Sequence, residues 1–103
     1  MLPGEPDAIG PHGHYLVGLD LAGRRVVVVG GGSVAQRRLP NLLAAGAEVE
    51  VIAIDPTPAV ESFPGVTVSH RAYADGDLAG AWYVIACTDD PEVNAAVVTE
   101  AEH

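Results

Sequence analysis

The chain has 103 residues, enough for one small domain, and its 49% hydrophobic content excludes a disordered tail. Fourteen acidic residues against five basic ones give a formal charge of −9, which argues against a nucleic-acid backbone or an anionic membrane as partner. Any anionic ligand must therefore be held by backbone N–H groups and a few local arginines.

Residues 1–14 contain three Pro, three Gly and two His without periodicity, and read as a flexible N-terminal arm. The opening residues have neither the basic nor the apolar region of a signal peptide. No apolar stretch approaches the roughly 20 residues needed to span a bilayer. The single cysteine, Cys87, cannot form an internal disulfide, which suits a reducing compartment; the expected location is cytoplasmic. Order is expected from residue 15, so that residues 15–103 form one domain.

Arg25-Val26-Val27-Val28-Val29 is a run of β-branched residues bounded by glycine, the pattern of a short central strand. Glycines 30–32 break it, and Ser33 is placed to cap a helix running to Ala45. Val34, Ala35, Leu39, Leu42 and Leu43 would line one face of that helix, and Gly46 would stop it. Pro40 lies inside it and should kink it, at a cost of about 3 kcal/mol if uncompensated. The second strand is predicted over 48–54, followed by a short helix that Asp55-Pro56-Thr57-Pro58 opens and Glu61 ends. Alternation over Val66-Thr67-Val68-Ser69-His70 predicts a third strand, and Asp75–Gly80 reads as a turn or a single helical turn. Ala81–Cys87 is apolar enough for a fourth strand at a sheet centre. Asp90 as N-cap and Pro91 at the first helical position open a last helix, with Val93, Ala96, Val97 and Ala101 as its apolar face. Strands alternating with helices imply an α/β fold, a Rossmann-like parallel sheet.

The pattern that carries chemistry is Gly30-x-Gly32-x-x-Ala35, directly after a strand and opening a helix. Gly30 permits the tight turn, Gly32 lets a pyrophosphate approach the backbone, and Ala35 lets the helix pack on the strand. Free N–H groups and the positive end of the helix dipole would then hold the phosphates, which answers the charge problem. Asp55 ends the second strand twenty residues beyond Ala35. Its carboxylate can accept hydrogen bonds from ribose hydroxyls and would repel a 2′-phosphate, so NAD is preferred over NADP. The competing reading is a plain strand-to-helix turn with a capping aspartate. No Lys-Ser/Thr follows the glycines, which disfavours a phosphate-loop NTPase.

Thr88-Asp89-Asp90 follows the fourth strand, where ligands of open parallel sheets bind, so Thr88 and Asp89 are expected to border the cofactor. Helix capping is the simpler alternative for the same residues. Arg37 and Arg38 read as a solvated helix face, although an acidic substrate could use them. His12 and His14 lack a third ligand nearby and read as an ordinary loop, with no metal site. His70 and Cys87 read as structural.

Three stretches together resemble a known family. These are Tyr15-Leu16 through Val29-Gly30-Gly31-Gly32-Ser33-Val34-Ala35-Gln36-Arg37-Arg38, then Leu42-Leu43-Ala44-Ala45-Gly46-Ala47-Glu48-Val49, then Val84-Ile85-Ala86-Cys87-Thr88-Asp89-Asp90-Pro91-Glu92-Val93-Asn94. They are similar to the N-terminal module of siroheme synthase, the precorrin-2 dehydrogenase and sirohydrochlorin ferrochelatase. The resemblance implies that NAD accepts a hydride as precorrin-2 is oxidised to sirohydrochlorin, with iron insertion as a second activity. It implies that Ser33 and Val34 touch the cofactor phosphates and that Ile54 and Asp55 touch the adenosine end, beside the cofactor-binding turn already read at Gly30, Gly31 and Gly32. Family members continue into a further strand, an aspartate used in both reactions, and a dimerisation region. None of these is present before His103. The expectation is an incomplete Rossmann domain, truncated after its fourth strand and following helix, that binds NAD weakly at best and does not turn over precorrin-2 alone. A homodimer is expected of the full-length protein, and an exposed apolar edge of the shortened sheet. A regulatory NAD-sensing module without catalysis, and less readily a methyltransferase using S-adenosylmethionine, are the competing functions.

Overall fold

The computed structural model describes residues 16–102. The arm expected over residues 1–14, with His12 and His14, lies outside them. The elements in chain order are β1 (Arg25–Val29), α1 (Ser33–Ala44), β2 (Glu48–Ala53), α2 (Pro58–Glu61), β3 (Val66–His70), β4 (Tyr83–Ala86) and α3 (Pro91–Ala101). All pairings are parallel and the strand order is β3-β2-β1-β4.

β1 is the centre because its side chains satisfy both faces. Val26 and Val28 point into a cluster with Ala35, Leu39 and Leu42 of α1 and Val60 of α2. Val27 and Val29 point the opposite way, into a cluster with Ile52, Leu78 and Val97 of α3. A strand buried on both faces needs no polar alternation, which is why four valines in a row serve there. The helices thus lie on opposite sides of the sheet. The chain runs outward from β1 through β2 to β3, then returns across to β4 on the other flank of β1. The strand order therefore reverses between β1 and β4, where a doubly wound sheet opens a crevice at its C-terminal edge.

The structure adjusts several sequence-based expectations. Ser33 is not the cap of α1. Gly32 is the N-cap residue, and no side chain bonds the first amides; Ser33 is already the first helical residue. The helix continues through Pro40 on its exposed side and ends at Ala44, where Gly46 at φ +84 reverses the chain. Of the predicted apolar face of α1, Ala35, Leu39 and Leu42 are buried, and Val34 and Leu43 only partly so. β2 ends one residue earlier than expected, leaving Ile54 exposed. β4 is trimmed to four residues because Ala81 closes a turn on the Leu78 carbonyl. It is not a sheet centre among the described residues: one side pairs with β1 and no described strand pairs with the other. Asp90 caps α3 as expected, accepting from the Glu92 amide at 2.9 Å. Its inner face is not the four apolar residues predicted. Val97 is buried and Val93 half-buried, while Ala96 and Ala101 are exposed. Glu100 turns toward the 73–78 loop and accepts from the Tyr73 hydroxyl and from the Gly76 and Leu78 amides, the amides both at 3.1 Å.

Candidate functional site

The crevice is a cavity of about 340 Å³ at the C-terminal ends of the strands. Its floor is the β1–α1 turn, and the loops after β2, β3 and β4 form its walls.

The three glycines of the turn do three different jobs. Gly30 has φ +126, and a Cβ there would stand 2.7 Å from the Cys87 carbonyl oxygen. Its amide donates to the Ile52 carbonyl at 2.9 Å, so this residue fastens the turn between the ends of β2 and β4. A Cβ on Gly31 would stand 2.7 Å from the Pro56 Cα, and the Gly31 carbonyl accepts from the Thr57 amide at 2.9 Å. Gly31 thus seats the turn on the β2–α2 loop. A Cβ on Gly32 would meet nothing within 4 Å. The space over Gly32 is open, and that is where a ligand can approach the backbone.

Above Gly32 the first amides of α1 have no intrahelical acceptors, as at any helix start. Neither a capping side chain nor an acidic residue in the first turn competes for them. The N-terminus of α1 is therefore left with unspent donors and a partial positive charge. A diphosphate fits this cradle by its chemistry.

Seven of the nine residues singled out from the sequence line the cavity: Gly30, Gly31, Gly32, Ile54, Asp55, Thr88 and Asp89. Ser33 and Val34 do not; they contribute only the backbone of the first helical turn. Asp55 and Ile54 are exposed at the mouth, beyond the end of β2. The Thr88 side chain turns into its own loop. Its hydroxyl donates to Asn94 Oδ1 at 2.7 Å and accepts from the Asp90 amide at 3.1 Å. Asn94 also accepts from the Thr88 amide at 3.0 Å and donates to the Thr88 carbonyl at 3.1 Å. This knot fixes the β4–α3 loop that carries Asp89.

The sequence reading missed the third wall, Arg71-Ala72-Tyr73. The rule that ligands gather at strand ends applies to β3 as well, and these residues follow it directly. Arg71 Nη1 is paired with Asp77 Oδ2 at 2.6 Å. The Tyr73 hydroxyl is raised well above the ordinary phenol range by burial and then by the adjoining Glu100 carboxylate. Cys87, read as structural, also lines the cavity; burial raises its thiol. His70 is away from the cavity, paired with Glu61 at 2.9 Å. Arg37 and Arg38 are exposed on α1 and outside the cavity lining. Among the described residues no group of three or more His, Cys, Asp or Glu is placed to hold a metal, and no helix is long and apolar enough to cross a membrane.

Residues 17–103 match a family model described as "Putative NAD(P)-binding". The chain is 42% identical over 86 residues to siroheme synthase 1 of Serratia proteamaculans (strain 568), covering 81% of this chain and 18% of that protein. It is 34% identical over 86 residues to precorrin-2 dehydrogenase of Priestia megaterium, covering 81% of this chain and 43% of that one. Among solved structures, one titled SirC, precorrin-2 dehydrogenase superposes with a TM-score of 0.76 at 34% identity, covering 82% of this chain and 44% of the other. The chain therefore spans under half the length of these relatives.

Proposed function

The chain belongs to the NAD(P)-binding family, in the form that siroheme synthases and precorrin-2 dehydrogenases carry, and from that premise we propose that it is the dinucleotide-binding part of an enzyme oxidising precorrin-2 to sirohydrochlorin. Membership carries an NAD(P)-type dinucleotide, which Asp55 favours as NAD, and NAD supplies a hydride acceptor when bound. The observation that carries the reading is the uncapped N-terminus of α1 standing over an open Gly32.

Each proposed contact follows from the chemistry of the wall. The backbone of Gly31, Gly32, Ser33 and Val34 offers amides to the diphosphate, and Gly30 holds the turn in place. Asp55 accepts from the adenosine ribose hydroxyls, with Ile54 giving an apolar edge beside it. Asp89 and the loop fixed by Thr88 border the cofactor where the strand order reverses. None of the described side chains is assigned a catalytic role.

The finer reading goes further than the cofactor. We propose a tetrapyrrole substrate, precorrin-2, with ferrous iron as the substrate of a second, ferrochelatase activity of the whole protein. A homodimer in the cytoplasm, without nucleic acid or membrane as partner, completes it. The single cysteine and the charge of −9 support the location and the excluded partners.

Calorimetric titration with NAD, then with precorrin-2, tests this. Binding of both supports the proposal. With NAD carried to millimolar concentration, so that weak binding registers, no heat would overturn the site, and NAD binding with indifference to the tetrapyrrole would favour a regulatory sensor.

A further inference from the structure

The chain has five basic residues, all arginines, and only Arg71 lines the cavity. Its backbone is joined to the end of β2, and it shares the cavity wall with Asp55. The Arg71 amide donates to the Ala53 carbonyl at 3.1 Å, at the end of β2, and Asp55 follows Ala53 by two residues. A free guanidinium beside the adenosine ribose would be a ready partner for a 2′-phosphate.

This guanidinium is not free. Arg71 Nη1 donates to Asp77 Oδ2 at 2.6 Å. Asp77 is itself firmly held: its side chain is only 15% exposed, and the same oxygen accepts from the Ala74 amide at 2.7 Å. Its carbonyl accepts from Arg25 Nη2 at 3.2 Å. The amides on either side of it, of Gly76 and Leu78, are anchored on Glu100 of α3. The acceptor is thus part of a frame tied to both β1 and α3, and Arg71 is the movable partner.

We infer that Asp77 is a positioning residue that sets cofactor selectivity, by engaging the one arginine in the cavity and so withholding it from the 2′-phosphate of NADP. Asp55 repels that phosphate, and the Arg71–Asp77 pair leaves no cation to offset the repulsion. The hydrogen bond between them raises the Arg71 guanidinium and lowers the Asp77 carboxyl from their ordinary values. The inference rests on the proposal that the adenosine end of NAD lies beside Asp55.

The test is the ratio of NADP to NAD dissociation constants, measured by calorimetry on the whole chain, with circular dichroism to verify folding. Asp77→Asn removes the carboxylate charge that holds Arg71 and leaves at most a weaker neutral hydrogen bond, and NADP binding is expected to strengthen about three- to tenfold relative to NAD. The double variant Arg71→Ala, Asp77→Asn should return the ratio to its starting value. Arg71→Ala alone should leave the ratio within about twofold, since a guanidinium already engaged contributes little to a phosphate. An unchanged ratio in folded Asp77→Asn would overturn the inference while leaving the NAD site standing. Should Asp77→Asn not fold, Arg71→Ala decides: a tenfold loss of NADP affinity would mean that Arg71 already serves the phosphate. No NAD binding by the unaltered chain would remove the site reading itself, and the inference with it.

Discussion

Alanine at Gly30 and alanine at Gly32 separate folding from binding, because the two glycines are glycines for different reasons. At Gly30 a methyl group meets two obstacles. The backbone sits at φ +126, a region that costs a non-glycine residue about 1–3 kcal/mol. The Cβ would also lie 2.7 Å from the Cys87 carbonyl oxygen, a backbone atom that cannot rotate away, and such overpacking costs a further ~1–3 kcal/mol. The sum, about 2–6 kcal/mol, is a large fraction of the stability of a domain this size and should lower Tm by about 8 °C or more. At Gly32 the same methyl enters open space from an extended backbone, φ −96 and ψ −153, so Tm should move by no more than about 2 °C. That methyl does occupy the approach to the α1 amides, and NAD affinity should fall at least tenfold, or about 1.4 kcal/mol. Thermal melts by circular dichroism and calorimetric titration with NAD measure the two effects separately. A Gly32→Ala variant that binds NAD as tightly as the unaltered chain would refute the argument that the diphosphate rests on this backbone.

Asp90→Ala removes the cap that the Glu92 amide uses and should cost about 1 kcal/mol in urea denaturation, without abolishing the fold. Glu100 is held below the ordinary glutamate range, chiefly by the Tyr73 hydroxyl and then by the Leu78 and Gly76 amides, against the opposing effect of burial. A depressed carboxylate stabilises the fold above its unfolded value, and that contribution disappears as pH falls through the folded value. Urea midpoints should therefore drop on the acid side of the ordinary glutamate range, and Glu100→Gln should be less stable near neutrality and show a shallower acid limb. Cys87 is half-buried with its thiol raised by burial, so alkylation near neutral pH should be slower than for a free cysteine. Because Cys87 lines the cavity, saturating NADH should slow it further; unchanged kinetics would place the dinucleotide elsewhere.

Most of the architecture was legible because its signals are local. Four valines between glycines can only be satisfied by burial on both faces, and Asp90-Pro91 is a helix start whatever surrounds it. What escaped the sequence depends on distant partners. Ser33 looks like a cap, but whether it lies before the helix or inside it is decided by how Gly30 and Gly31 are seated against Cys87 and Pro56, far along the chain. Ala96 and Ala101 have the right spacing for an inner face, yet Glu100 is drawn in by two amides and a hydroxyl from the 73–78 loop, a contact no periodicity encodes. Arg71 was overlooked for the same reason: its meaning comes from Asp77 and from the neighbouring end of β2.

The charge of −9 posed the sharpest objection to an anionic ligand, and the structure answers it by location rather than by neutralisation. Interactions between exposed charges are screened over about 8 Å at physiological salt, so only carboxylates at the cavity bear on a diphosphate. Three line it. Asp90 is already engaged with the positive end of α3, and Asp55 stands at the sugar end, where a hydrogen-bond acceptor is useful. Asp89 alone remains as unengaged negative charge near the turn. Against it stand several peptide amides aimed from one helix end, with no side chain interposed. Short, directed hydrogen bonds outweigh a diffuse repulsion, which is how an acidic chain with few arginines can still hold phosphate.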